Sequence, residues 1–162
     1  MTKNWELRAE SVCMACGGHC CDDAHPPITE NRFDQLIAAG VPESSFERDG
    51  YLRLRTRPDS SCILMVDNKC TCHEIKPETC RAGPFTFDIN GDKIRIFLKH
   101  AAICPIVPLL KEEPEMYRQQ YEKAAENILG LVAHLTDTEI AAINRIDEPD
   151  TDLVAEILRD YA

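Results

Sequence analysis

The stretch that decides the fold is Cys13-Met-Ala-Cys16-Gly-Gly-His-Cys20-Cys21, which places four thiols close together in the chain. A C-x-x-C pair can wrap both of its thiolates around one metal ion, and the two glycines that follow permit the tight backbone this requires. Residues 13–27 have almost no apolar periodicity, so hydrophobic packing does not explain how they would fold. A bound metal would supply the missing constraint.

The adjacent pair Cys20-Cys21 is difficult to fit to a single tetrahedral metal ion. Neighbouring side chains project in different directions, so the two thiolates cannot easily reach one ion with similar geometry. The pair therefore predicts either two metal centres or one polynuclear centre.

The remaining cysteines, Cys62, Cys70, Cys72, Cys80 and Cys104, follow at wide intervals and bring the total to nine. The N-terminus lacks the apolar core of a secretion signal, and no segment approaches the roughly 18 uninterrupted apolar residues of a membrane span. We therefore expect a cytoplasmic protein with no membrane segment. Reducing compartments disfavour structural disulfides, so the thiols indicate metal binding or catalysis.

The length of the chain indicates how many domains it forms, and its charge indicates which ligands it disfavours. A chain of 162 residues is typical of one hydrophobic core. We expect a single domain, 1–162, in which a cysteine-cluster metal-binding part, 1–105, carries a helical part, 106–162, packed on it. The net charge of −10 is spread along the chain and opposes phosphate-rich partners, so nucleic acid is not expected as a ligand.

The first part of the chain predicts one short helix and several short strands. Thr29 can cap a helix that carries Phe33 and Leu36 on one face and stops near Gly40. Alternation over 51–56 and an apolar run over 62–66 predict antiparallel strands. Segments 85–89 and 93–97 flank Asn90-Gly91, the strongest short-range hairpin signal.

The last third predicts helices. Apolar residues from Tyr117 to Leu135 recur at spacings of three and four behind Pro114, and Thr136 with Glu139 has capping-box spacing. A final helix is predicted after Pro149, on an apolar set formed by Leu153, Val154, Ile157, Leu158 and Tyr161. The fold class is therefore α+β: a small cysteine-rich, metal-bound domain with short antiparallel strands and a hairpin, followed by a C-terminal helical segment. We expect the helices to offer a surface to another protein.

Together the cysteines resemble a known family, the YkgJ-like cysteine-cluster proteins, whose signature C-x-x-C-x-x-x-C-C matches Cys13 to Cys21 in full. The later family pattern resembles Cys62 with its apolar run, Cys70 through Lys76-Pro77 to Cys80-Arg81, and Cys104. The resemblance covers residues 13–105 and implies a zinc- or iron-chelating domain; some relatives are named as flagellin lysine methylases or as iron-sulfur oxidoreductases. The predicted metal ligands are Cys13, Cys16, Cys20, Cys21, Cys62, Cys70, Cys80 and Cys104.

Three positions depart from the family pattern. Cys72 stands where the family has an aliphatic residue, His73 replaces an aromatic residue, and Lys76 replaces an arginine. Cys72 is therefore interpreted as a small core residue. The histidines near the cysteines are excluded from the ligand set, because loop histidines are more often exposed to solvent.

Three arginines, Arg53, Arg55 and Arg57, alternate along a predicted strand and so share one of its faces. With Arg81 they could offset thiolate charge or bind an anionic partner. An ordinary solvated face is the simpler interpretation, and it is the one we expect.

The sequence leaves the identity of the metal open between zinc and iron, because thiolate sites suit both zinc and iron-sulfur clusters. Well-spread ligands in a loop-rich scaffold favour a structural or chelating zinc or iron ion in a non-catalytic module, which is the preferred hypothesis. The Cys20-Cys21 and Cys104-Pro105 pairs favour the alternative, an iron-sulfur redox protein or a subunit of a protein-modifying enzyme. Thiol-disulfide exchange through Cys13 and Cys16 is disfavoured, because no thioredoxin-like unit surrounds them. No catalytic residue is assigned.

Overall fold

The computed structural model describes residues 26–59, 61–66, 69–71, 75–102, 104–144 and 151–158. They confirm the α+β class, with helices and small antiparallel sheets. The elements are α1 (Glu30–Ala38), a 3-10 turn (Glu43–Ser45), β1 (Phe46–Arg48), β2 (Leu52–Leu54), β3 (Met65–Val66), β4 (Lys69–Cys70), α2 (Glu78–Ala82), β5 (Phe85–Asn90), β6 (Lys93–Lys99), α3 (Ile106–Glu112), α4 (Pro114–Val132), α5 (Asp137–Ile143) and β7 (Thr151–Leu158).

Helix α1 begins and ends where the sequence predicts. The Thr29 hydroxyl accepts a hydrogen bond from the Arg32 backbone N–H at 3.2 Å, and Gly40 follows the helix with a φ of 99°. Leu36 is fully buried, and Phe33 packs edge-on against Phe46 with ring centroids 4.8 Å apart. These contacts join α1 to the β1–β2 hairpin in what we call the first core, whose buried residues are Ile28, Leu36, Val41, Phe46, Leu54, Cys62 and Leu64.

The second core lies between the β5–β6–β7 sheet and the C-terminal helices. Alternate residues of β5 and β6 are buried, as expected for a sheet with one face on the core. Phe85 of β5 contacts both Tyr117 and Tyr121 of α4, with ring centroids 5.6 and 5.7 Å apart. The predicted long amphipathic helix is confirmed as α4, whose buried face includes Ile128 and Leu131.

The predicted β5–β6 hairpin is confirmed, but its loop lies one residue later than Asn90-Gly91. Asn90 pairs with Lys93, so Gly91 and Asp92 form the two-residue loop. Gly91 has a φ of 64° at the first loop position, a conformation that glycine adopts without steric cost. Asn90 therefore ends the strand instead of forming the turn.

The predicted last helix is wrong within the described residues: the set Leu153, Val154, Ile157 and Leu158 lies on strand β7, and Tyr161 lies outside the description. β7 runs antiparallel to β6, from Lys93 opposite Leu158 to Lys99 opposite Thr151. β5 occupies only one edge of β6, and the other edge presents backbone groups that need partners. Pairing with that edge outweighs the apolar spacing of three and four, so residues 106–162 are not wholly helical.

The turn between β1 and β2 packs against α5 and so connects the two cores. Gly50 has a φ of 80°, and a Cβ placed on it would lie 2.5 Å from the Cβ of Ala142. Only glycine fits this close approach without a shift of α5. None of the helices in the described part of the chain is both long and apolar enough to cross a membrane.

Candidate metal centre

The eight predicted ligands divide into those that the structure describes and those that it does not. Cys13, Cys16, Cys20 and Cys21 lie outside the described residues, as does Cys72. Cys70 is the last residue of β4, opposite Met65, and its side chain is outside the description. The side chains of Cys62, Cys80 and Cys104 are described, so the local geometry of the site is built from these three.

Cys62 is a buried member of the first core, 7% exposed. Its backbone forms an isolated antiparallel bridge with Thr56. The Arg57 guanidinium holds the loop between these residues: it donates hydrogen bonds to the carbonyl oxygens of Cys62 at 2.9 Å and Ile63 at 3.0 Å. The Arg57 backbone N–H donates to the Ser61 carbonyl at 2.7 Å. The position of Cys62 is thus fixed from outside the core as well as from within it.

These contacts correct the prediction that Arg53, Arg55 and Arg57 form an ordinary solvated face. Arg53 is largely buried and lies within 3.6 Å of Glu47 and 3.5 Å of Asp49, so it is an ion-paired residue. Arg57 is bound to backbone carbonyls, and the exposed Arg55 donates to the Phe46 carbonyl at 3.3 Å. The sequence carried no signal for the carbonyl contacts, because every residue has a carbonyl.

Cys80 lies in the short helix α2, which is held at both of its ends by side chains from other helices. At the start, Arg32 of α1 places Nε and Nη2 each 2.9 Å from Glu78 Oε1. The same guanidinium donates to the Ile75 carbonyl at 3.3 Å. Just past the end, the Gln120 amide of α4 donates to the Gly83 carbonyl at 2.8 Å. A five-residue helix gains little from its own hydrogen bonds, so these contacts determine where Cys80 lies.

The Arg32–Glu78 pair is the part of this site that sequence reasoning missed. Each side chain is only 12% exposed, and a carboxylate this buried needs a cationic partner. Glu78 Oε1 has one, whereas the buried Oε2 has no hydrogen-bond partner among the described residues. The two residues are 46 positions apart, and no local pattern connects them.

Cys104 lies in the turn between β6 and α3, half-buried against the second core. Its backbone N–H donates to the His100 carbonyl at 3.0 Å, and its carbonyl accepts from Val107 at 3.1 Å. His100 Nε2 lies 3.0 Å from an Asp152 oxygen and joins this turn to the start of β7. Pro105 follows as the N-cap residue of α3.

The described residues do not complete a metal site by themselves. Among them, no group of three or more histidine, cysteine, aspartate or glutamate side chains is placed to hold an ion. The three described thiols belong to three different segments, and five of the eight predicted ligand side chains lie outside the description. Thiolate donors fit zinc and iron alike, so the chemistry of the donor set agrees with either metal.

Three cations lie near one another around α2: Lys76 before its first residue, Arg81 directly after Cys80, and Lys123 on α4. Partial burial lowers the pKa of the Lys123 ammonium below its usual range, and the positive charges of Lys76 and Arg81 lower it further. Lys123 is thus close enough to Lys76 and Arg81 to feel their positive charge, although the chain as a whole carries −10.

Comparison with known protein families gives one match. The family model described as "CxxCxxCC: Putative zinc- or iron-chelating domain" matches residues 12–105, more than half of the chain. All eight predicted ligands lie within the matched range. Comparisons with curated proteins and with solved structures found no match.

Proposed function

The chain belongs to the CxxCxxCC family of zinc- or iron-chelating domains, and on this premise we propose that its clustered thiolates hold zinc or iron in a closed, non-catalytic centre. The ligands are the eight cysteines of the family pattern, arranged as two four-thiolate sites or one polynuclear site. They are Cys13, Cys16, Cys20, Cys21, Cys62, Cys70, Cys80 and Cys104.

The observation that carries this proposal is how the three described thiols are held. Cys62, Cys80 and Cys104 each lie in a short or irregular segment that side-chain contacts hold in place. Arg57, five residues from Cys62, fixes the Cys62 loop. The Arg32–Glu78 and His100–Asp152 contacts fix the other two segments, and their partners lie 46 and 52 positions apart in the chain. Inert core thiols would not require such support from outside. A metal centre does, because contacts outside the ligand set orient the ligands around the ion.

The centre would also explain how the two cores hold together. Cys62 belongs to the first core and Cys104 packs on the second. A metal bound through both parts, together with the 13–21 cluster, would cross-link them. The binding free energy would then contribute to folding, on the order of 10 kcal/mol for a structural zinc site.

The alternative is an iron-sulfur redox protein, or a subunit of a protein-modifying enzyme. Two features favour it: the adjacent thiols Cys20-Cys21, and Cys104-Pro105 at the start of α3, which resembles the Cys-Pro ending of bacterial ferredoxin motifs. In either case we propose that the protein works in the cytoplasm, where thiolates stay reduced, and that helices α3 to α5 offer a surface to another protein.

The deciding experiment is elemental analysis of protein purified without oxygen, with labile sulfide and a visible spectrum measured on the same sample. Zinc or iron without sulfide supports the closed centre, whereas iron and sulfide in matching amounts move the assignment to the cluster. A metal-free protein whose cooperative unfolding is unaffected by chelator would contradict both.

Two matched substitutions sharpen the ligand assignment. Cys80→Ser removes a predicted ligand and is expected to lower the metal content. Cys72→Ser removes the ninth cysteine, which lies outside the ligand set, and is expected to leave the metal content unchanged. Equal metal loss in the two variants would contradict the assignment of these residues.

A further inference from the structure

A groove of about 410 Å³ lies between α1, α2 and α4. Arg81, which follows the predicted ligand Cys80 in the chain, is one of the residues that line it. The α4 wall of the groove presents Lys123, Glu126, Asn127 and Gly130, which recur at spacings of three and four along one face of the helix, and His134 lies two residues beyond the end of α4. Its other walls include Arg81 of α2 and the Arg32–Glu78 pair. The volume falls within the range of about 300–1,000 Å³ typical of small-molecule sites.

The charges in this groove are unequally compensated. Arg32 is neutralised by Glu78, at 2.9 Å. No ion pair joins Arg81 or Lys123 to any residue that the structure describes, including the exposed Glu126 one turn along α4. The pKa of Lys123 is lowered mainly by partial burial, and the positive charges of Lys76 and Arg81 lower it further. Two adjacent cations are thus left to attract an anion.

Gly130 has no side chain, so it leaves space in the groove above α4. A Cβ placed on it meets no described atom within 4 Å, so no close contact with the described chain requires glycine here. Glycine inside a helix costs about 1 kcal/mol relative to alanine. Packing does not explain why the chain has glycine at this position. The missing side chain does, however, leave open space over α4 next to Asn127.

We propose that this groove binds a small organic molecule through an oxyanion group, a phosphate or a carboxylate. The planar guanidinium of Arg81 donates hydrogen bonds to the oxyanion, and the ammonium of Lys123 attracts it as a point charge. The remainder of the ligand lies over Gly130, beside Asn127. The groove is larger than an inorganic ion requires.

A competing role for these cations is to offset the charge of the metal-thiolate centre, because Arg81 follows Cys80 directly. Consecutive residues of a helix project about 100° apart, so a guanidinium in the groove and a thiol one residue earlier point in different directions. The groove therefore has a binding role distinct from that of the cysteines.

The test is a calorimetric titration of the full-length, metal-loaded protein with phenyl phosphate, benzoate and uncharged benzyl alcohol. We expect one or both anions to bind and benzyl alcohol not to bind; preference for one anion identifies the oxyanion class. Lys123→Gln should weaken binding about tenfold, the loss of one charge-assisted contact. The control Lys111→Gln removes the same charge from exposed α3, outside the groove, and should change affinity less than twofold.

Gly130→Leu provides an independent variant that fills the groove. Leucine is a better helix former than glycine and has open space at this position, so the fold should persist while anion binding is lost. Full affinity in Gly130→Leu, equal losses in Lys111→Gln and Lys123→Gln, or no binding of either anion would overturn the proposal. So would a Lys123→Gln protein that loses metal but keeps its affinity for phenyl phosphate, because the cations would then serve the thiolate centre. Binding of phenyl phosphate by a protein that is isolated folded and without metal would contradict the proposed function and leave this inference intact.

Discussion

The two cores differ in the structures that surround them. Around the first core the strands are two or three residues long, whereas β5, β6 and β7 of the second core have six, seven and eight residues. Isolated short hairpins are marginal in water, and a three-stranded sheet with a packed face is not. The comparison teaches that the second region can fold by packing alone, whereas the first needs another source of stability, which we assign to metal.

Metal removal is expected to have the largest effect and to separate the two regions. With a strong chelator the β1–β2 hairpin, Phe46 to Leu54, should lose its amide protection, because a metal contribution on the order of 10 kcal/mol disappears. Strand β6 should keep most of its protection. Hydrogen exchange followed by mass spectrometry measures both at once, and restored metal should restore the first region. Equal loss in both regions, or loss in neither, would contradict the comparison.

A cavity in the second core should destabilise that region, because its stability comes from packing. Ile96 is fully buried in β6, so Ile96→Ala should lower the free energy of unfolding by about 2–5 kcal/mol. The matched control is Leu153→Ala on β7: Leu153 is 51% exposed, and the change should stay within about 0.5 kcal/mol. Denaturant unfolding of the metal-loaded protein provides the two values. Similar losses would mean that the second core does not support this region.

The Arg32–Glu78 pair tests whether α2 is positioned from outside. Arg32→Met leaves the Glu78 carboxylate buried without its cation, which should cost about 2 kcal/mol because slight exposure moderates the penalty of a buried charge. The double variant Arg32→Met with Glu78→Gln should recover most of that loss. Both free energies are read from denaturant curves, and metal content should fall in the single variant if Cys80 is a ligand. A double variant less stable than the single one would refute this account of the pair.

The sequence predicted best the features that depend on neighbouring residues. The Thr29 cap, the hairpin after Phe85, the helix behind Pro114 and the capping box at Thr136 are all confirmed, since each results from residues within one or two turns of the chain. Membership of the metal-chelating family is confirmed too, because an ordered set of eight cysteines is a sequence property.

The sequence failed where distant segments decide the structure. β7 is a strand because the free edge of β6 needs partners, although its apolar residues are spaced as in a helix. Arg32 binds a carboxylate 46 residues away. Arg57 is a different case: the carbonyls it binds are only five and six residues away, but carbonyl groups have no sequence signature. The ligand set remains a prediction, since most of the side chains that would complete it lie outside the described residues.

The capping box at α5 should give the smallest effect, and that effect begins in the second region. The Thr136 hydroxyl accepts from the Glu139 N–H at 3.2 Å, and the Glu139 carboxylate accepts from the Thr136 N–H at 3.0 Å. Thr136→Ala removes the first bond and should cost about 1 kcal/mol of unfolding free energy. The control Thr138→Ala, two residues along on the exposed first turn, should change stability by less than about 0.5 kcal/mol. Because Gly50 packs on α5, loosening of this helix would also reach the β1–β2 turn. The Asp49 amide of that turn donates to the Tyr51 carbonyl at 3.1 Å, so its exchange reports the effect. Unchanged exchange at Asp49 while α5 opens would show that the two cores are coupled more weakly than the Gly50 contact implies.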